Sequence, residues 1–327
     1  LEEALVYRIK PVNFSPAVEV SACYVESEGK ILFLKRVSGK SEGDKWGIPG
    51  GKIEEGETDR EAVIRETQEE TRIELSQEKL KFIGKFFVRK KTIDYVFYAY
   101  HKEFTYLPEV ILNEEHTEYR WLPIEDISSI PTMSGGIELF QHFKALKNVP
   151  KIPRKPFYFI RHGQTDANIN HDTKLVDDNL PLNDIGKSQA EVVRKTIEKH
   201  PFKSVYFSPI QRAVETKDIL INKRNIEQVE LEDLSECRED VWTKMVKFEE
   251  GSGYQVCHKV ERFLERTMHG LSKALESASP PLIVAHGGFH WSICYHLSIE
   301  DHPWKIGNCE LVYVQPIGDA GWKMELV

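Results

Sequence analysis

The apolar-rich runs AVEVSACYV (17–25) and KILFLKRV (30–37) predict a pair of strands joined at the turn SEGK. KFIGKFFVRKKTIDYVFYAYH (81–101) predicts two more strands around a basic turn. Between the pairs the pattern becomes helical. Thr58 followed by Glu61 has capping-box spacing, and Ala62, Val63, Ile64 and Ile73 give an apolar side to a helix of about four turns. Further along, the apolar runs PFYFI, SVYFS and PLIVAH alternate with the helical stretches NDIGKSQAEVVRKTIEKH and QRAVETKDILINKR. That alternation predicts a largely parallel sheet with helices on both faces.

The 327 residues are enough for two domains, each with its own core. Pro150, Pro153 and Pro156 lie among basic residues and disfavour helix, which predicts a short stiff linker at 148–155 between domains at 1–147 and 156–327. With 40% hydrophobic and 29% charged residues, the composition is that of a folded globular chain. A net charge of -8 disfavours stable nucleic-acid binding, which needs excess Lys and Arg. Cys23, Cys237, Cys257, Cys294 and Cys309 show no C-x-x-C spacing, so neither a zinc knuckle nor a disulfide framework is indicated. No apolar run reaches the roughly 18 residues of a membrane helix, and no charged-then-apolar leader follows Leu1. The expectation is a cytoplasmic protein without membrane contact, free to form a homo-oligomer.

In RETQEETRI, Glu66, Glu69 and Glu70 share one helical face, where like charges destabilise unless something neutralises them. Upstream, IPGGKIEEGET supplies Gly50 and Gly51, which let backbone approach a ligand closely. Gly51, Glu57, Arg65, Glu66, Glu69, Glu70 and Ile73 match G-x5-E-x7-R-E-U-x-E-E-x-G-U, with U apolar, and in this the first half resembles the Nudix hydrolases. Six fixed letters coincide by chance on the order of 10^-7 per starting position. Thr67 stands where an apolar residue is usual, which would loosen helix packing, and Arg72 replaces a glycine, which would force a different helix exit. The resemblance implies an α/β/α sandwich with a mixed sheet and Mg2+ or Mn2+ on Glu69 and Glu70. Glu66 would be a ligand or the general base, Gly50 would lend its carbonyl, and Arg65 would pair with Glu57 to brace the helix. Hard cations on carboxylate oxygens neutralise a pyrophosphate and acidify a water. In NEEHTEYRWLP, Glu115 occupies the place from which MutT-like relatives supply a distal ligand, while an acidic surface loop is the alternative and His116 reads as a surface residue.

PFYFIRHGQTDAN ends an apolar strand with Arg161, His162 and Gly163, then Thr165 and Asn168. Ligands bind at strand ends in open α/β sheets. SPIQRAVET brings Arg212, LSECREDVW brings Glu236 and LIVAHGGFH brings His286, and in this order the second half resembles the histidine phosphatase superfamily, with the phosphoglycerate mutase-like fold. The resemblance implies a three-layer α/β/α domain in which His162 becomes transiently phosphorylated. Arg161, Arg212, His286 and Asn168 would hold the phosphate, Glu236 would cycle as acid and base, and no cofactor would be needed. Trp242-Thr243-Lys244 stands where relatives continue W-E-G, which weakens Glu236. RHGQTDAN lacks the tryptophan of glycolytic mutases, which favours a phosphatase.

The order of the two halves resembles two-domain MutT-like proteins of mycobacteria, which sanitise oxidised guanine nucleotides. The reading is a bifunctional phosphohydrolase: one half cuts a pyrophosphate bond in a nucleoside diphosphate-linked or oxidised nucleoside triphosphate substrate, and the other hydrolyses a phosphate monoester. The alternative keeps the Nudix enzyme and makes the C-terminal half a binding or dimerisation module.

Overall fold

The computed structural model describes residues 4–8, 10–11, 13–169, 179–246, 258–299, 305–318 and 321–327. Contacts divide the chain into two compact units between Lys147 and Asn148. Each builds one sheet.

In the first unit the elements run β1 (Leu5–Tyr7), β2 (Pro16–Ser27), β3 (Lys30–Arg36), β4 (Trp46–Gly47), β5 (Gly50–Lys52), α1 (Asp59–Thr71), β6 (Lys81–Arg89), β7 (Asp94–Phe104), β8 (His116–Pro123) and α2 (Gly136–Lys147). The sheet order is β1-β6-β7-β2-β3-β4, with β5 on β2 and β8 on β3. The β2–β7 pair is parallel and its neighbours are antiparallel, so the sheet is mixed. Glu28 and Gly29, at φ 51° and 71°, make the tight primed turn that returns β2 into β3. Strand alternation sends Cys23 and Val25 to one face, where they pack with Val63 of α1. Tyr24 goes to the other, its ring 4.0 Å from that of Phe143 in α2. The sheet is therefore sandwiched between the two helices. Phe86, Phe87, Phe97 and Tyr100 are buried packing residues.

In the second unit the order is β9 (Phe157–Arg161), α3 (Asp184–Ile197), β10 (Ser204–Phe207), α4 (Gln211–Ile221), β11 (Glu227–Glu230), α5 (Glu239–Val246), α6 (His258–Ala274), β12 (Leu282–Ala285), α7 (Gly287–Leu297), β13 (Leu311–Ile317) and β14 (Gly321–Leu326). The sheet runs β11-β10-β12-β9-β13-β14. Its first four strands are parallel, and β13 and β14 form an antiparallel edge. Ile160 packs with Ala190 and Ile197 of α3 and Ala213 and Leu220 of α4 on one face. Phe159 stacks on Phe289 of α7 on the other, with ring centroids 5.8 Å apart. Arg161 is in register with Ala285, and the His162 amide donates to the Ala285 carbonyl at 3.0 Å. The motifs after β9 and β12 thus leave the sheet side by side. Among the described residues, no helix is long and apolar enough to cross a membrane.

Candidate active sites

The carboxylates of the first unit depend on how α1 starts. Thr58 Oγ1 accepts from the Glu61 amide at 3.2 Å and the Glu61 carboxylate accepts from the Thr58 amide at 2.9 Å, so the capping box is complete. Gly51 has no Cβ because one would stand 2.4 Å from Glu66 Cδ, and at Gly50, with φ +155°, one would meet Ala22 Cβ at 2.4 Å. These absences let the loop lie directly on β2 and on the Glu66 carboxylate. The Gly50 amide donates to Glu70 Oε2 at 2.9 Å. Arg65 forks onto Glu57 through Nε and Nη2, both at 2.9 Å, and reaches Glu66 Oε1 through Nη1 at 2.9 Å. Glu69 turns outward, its side chain 56% exposed, with Arg65 Nη1 at 3.5 Å.

Burial raises the Glu66 carboxyl above the usual range, and pushes Glu70 up to about 8 against the opposing Gly50 hydrogen bond, with Glu66 and Glu115 adding repulsion. Two sheltered carboxylates, with the charge of Glu66 opposing the ionisation of Glu70, form a donor set that a hard divalent cation would relieve, so these residues fit such an ion. Among the described residues, no three His, Cys, Asp or Glu side chains already converge to hold one, which agrees with the outward pose of Glu69. Glu115 is paired with Lys40 at 2.8 Å, within electrostatic reach of Glu66 and Glu70.

Three expectations are corrected here. His116 is not a surface residue: its ring is sheltered, Nδ1 lies 3.2 Å from Asn113 Oδ1 and Nε2 lies 3.7 Å from Glu70 Oε1. Burial holds it down to about 4, so it stays neutral beside Glu70. Arg72 does not change the helix exit. It adopts the left-handed φ of 62° that a glycine would take, and its amide caps Gln68. Thr67 does not loosen the helix either; it is fully buried, and its cost is a hydroxyl that finds no partner among the described residues.

In the second unit, His162 Nδ1 lies 2.7 Å from the Gly163 carbonyl, which can only accept, so Nδ1 carries the proton. Nε2 then holds the lone pair, which accepts a hydrogen bond from Arg212 Nε at 3.1 Å. Burial, then Arg212 and Arg161, hold the imidazole well below its usual range, so it is neutral. The His286 ring centroid is 5.2 Å away, and its Nε2 lies 2.7 Å from Ser208 Oγ. Arg161 Nη1 donates to the Ile306 carbonyl at 2.7 Å. Among the described residues, Arg161 Nε and His286 Nδ1 are buried without hydrogen-bond partners. Four nitrogen-bearing side chains thus surround one spot with donors to spare, an arrangement suited to the oxygens of a phosphoryl group.

Glu236 belongs to this cluster. Its Oε1 accepts from the Cys237 and Gly288 amides at 2.9 and 3.1 Å, placing the carboxylate at the first turn of α7, just after His286. Asn168 uses its Oδ1 locally, accepting from the Thr165 amide at 3.0 Å and from Asn308 Nδ2 at 3.2 Å. Three positioning residues escaped the sequence reading. Ser208 orients His286, Thr216 Oγ1 accepts from the Gly163 amide at 2.9 Å, and Asn308 Nδ2 donates to the His162 carbonyl at 3.0 Å. Ser208 and Thr216 flank Arg212 within SPIQRAVET, which is the signal that could have found them; nothing nearby in sequence marks Asn308.

Residues 15–143 match the family model described as NUDIX domain, and residues 157–327 match that of the Histidine phosphatase superfamily (branch 1). The chain is 28% identical over 133 residues to the CTP pyrophosphohydrolase of Escherichia coli (strain K12), covering 40% of this chain and 93% of that protein. It is 38% identical over 86 residues to the asymmetrical bis(5'-nucleosyl)-tetraphosphatase of Mus musculus, covering 25% of this chain and 57% of that one, little more than half its length. It is 30% identical over 137 residues to the uncharacterized phosphatase PhoE of Bacillus subtilis (strain 168), covering 39% of this chain and 69% of that protein.

Proposed function

Because the chain belongs to the histidine phosphatase superfamily and carries a Nudix domain ahead of it, we propose that it is a bifunctional phosphohydrolase with one site in each domain. The first domain, with Glu66, Glu69, Glu70, Glu115 and the Gly50 carbonyl as ligands for Mg2+ or Mn2+, cuts a pyrophosphate bond. The ion, when bound, supplies charge neutralisation and a more acidic water. Arg65 and Glu57 brace the helix that carries the ligands, and Glu66, as a ligand or as the base, stands against Gly51 at the mouth of the loop. The similarity to proteins acting on CTP and on dinucleoside tetraphosphates supports a nucleotide substrate, either a nucleoside diphosphate linked to another group or an oxidised nucleoside triphosphate.

The second domain hydrolyses a phosphate monoester without a metal. His162 Nε2 attacks phosphorus, the ester P–O bond breaks, and the departing oxygen takes its proton from Glu236. Glu236 then takes a proton from water as that water attacks phosphorus, the P–N bond breaks, and inorganic phosphate leaves. Arg161, Arg212, His286 and the amide of Asn168 hold the oxygens throughout. The observation that carries this reading is the tautomer of His162, with Nδ1–H committed to the Gly163 carbonyl and the lone pair on Nε2, where it accepts from Arg212 Nε until phosphoryl oxygens take that donor.

A second reading rests on Glu236, whose carboxylate accepts from two backbone amides and so could serve only to cap α7, leaving the domain a weak binding or dimerisation module. The two are separated by assaying a nucleotide and a phosphomonoester with a chelator or with vanadate. The proposal requires that the chelator stop pyrophosphate cleavage alone and that vanadate stop monoester hydrolysis. Absence of any vanadate-sensitive turnover favours the module.

A further inference from the structure

The segment that carries Glu236 is held from behind by one face of α6. Arg266 donates from Nη1 to the Glu232 carbonyl at 3.0 Å, and from Nη2 to the carbonyls of Ser235 at 2.8 Å and Glu236 at 3.3 Å. Its guanidinium carbon stands 5.1 Å from the ring centroid of Phe263, one turn earlier. One turn later, Gly270 lets the same segment approach so closely that a Cβ there would lie 2.9 Å from Asp233 Cβ. Phe263, Arg266 and Gly270 recur at i, i+3 and i+7, so they form one stripe along the helix. On the far side of the carboxylate, a Cβ on Gly288 would meet Glu236 Oε1 at 2.2 Å and Phe263 Cζ at 3.2 Å. Helix α6 therefore holds the backbone of 232–236, while the Gly288 amide at the start of α7 holds the Glu236 carboxylate.

We propose that Arg266 is a positioning residue for proton transfer at the phosphatase site. Its three carbonyl bonds fix the backbone of 232–236, and with it the point from which Glu236 delivers a proton to the leaving oxygen. A planar, always-charged fork is suited to this, because it holds separate carbonyls in one rigid geometry that an ammonium group cannot reproduce. The inference rests on the phosphatase reading with Glu236 as proton donor. It touches only the part of the reaction in which the leaving group needs a proton: an alkoxide does, whereas 4-nitrophenolate leaves without one.

The experiment compares kcat/KM for glycerol 2-phosphate and for 4-nitrophenyl phosphate in the full-length protein, since this ratio reports the chemistry up to departure of the leaving group. The Arg266→Gln variant is expected to lose roughly 10- to 100-fold on the alkyl ester and less than about threefold on the aryl ester, as a lost general acid would. Glu236→Gln should show the same selective loss, the double variant should be no worse than Glu236→Gln alone, and Arg266→Lys should fall between wild type and Arg266→Gln. Should Arg266→Gln fail to fold, Gly270→Ala displaces the same segment without touching Arg266 and is expected to give the same selectivity. Equal losses on both esters, no loss on either, or a wild type active on the aryl ester alone would overturn the proposal. If His162→Ala retains turnover of both esters, it is the phosphatase reading that fails.

Discussion

Glu70→Gln should abolish pyrophosphate cleavage and, without metal, make the first domain more stable. Glu70 is buried, and its carboxyl is pushed up from an ordinary 4.5 to about 8. Below pH 4.5 both folded and unfolded states hold the proton, and Glu70 contributes no difference. Between there and about 8 the unfolded chain has released a proton that the folded chain keeps, so stability falls as pH rises. At about 1.4 kcal/mol per unit, the accumulated penalty near pH 8 is roughly 4 kcal/mol. Glutamine stays neutral and can still accept from the Gly50 amide, so the substitution removes the penalty. For a domain of this size that corresponds to a rise in Tm on the order of 10 °C near pH 8, with little change near pH 5. The assay is calorimetry in EDTA at both pH values, following the transition that moves when Mg2+ is added. Mg2+ should raise that transition in wild type and leave the variant unmoved. A wild type whose metal-free stability is flat across this range, or a variant no more stable than wild type near pH 8, would refute the reasoning.

The Arg72→Gly variant should gain roughly 1 kcal/mol in urea unfolding with unchanged turnover, because it relieves a side chain held at φ 62°. The Thr67→Val variant should gain about 1 kcal/mol by removing a buried hydroxyl that lacks a partner; destabilisation would mean that the hydroxyl is bonded after all. The Gly51→Ala variant places a Cβ 2.4 Å from Glu66 Cδ and should cost on the order of 100-fold in pyrophosphate cleavage while leaving monoester hydrolysis intact, a split that product chromatography reads directly.

The elements that were legible in the sequence are those set by local physics. The Thr58 and Glu61 capping box and the Glu28–Gly29 turn depend on residues a few positions apart, and each forms as its pattern predicts. The three glutamates were legible as a group but not one by one. A period of 3.6 puts them on one side of α1, yet only packing against Gly50 and Gly51 decides that Glu66 and Glu70 turn inward while Glu69 faces solvent. His116 looked exposed because its neighbours are charged, and it is β8 laid against β3 that carries it to Glu70. Asn308 joins the His162 loop from 146 positions away in sequence, a distance over which no local pattern reaches.

The central claim is that each domain has its own hydrolytic site. Its most direct test is a product time course on wild type, Glu70→Gln and His162→Ala, each given a nucleoside triphosphate and a phosphomonoester. Glu70→Gln should lose pyrophosphate cleavage and keep monoester hydrolysis, and His162→Ala should do the reverse. Loss of both activities from either single substitution, or of neither, would contradict the account.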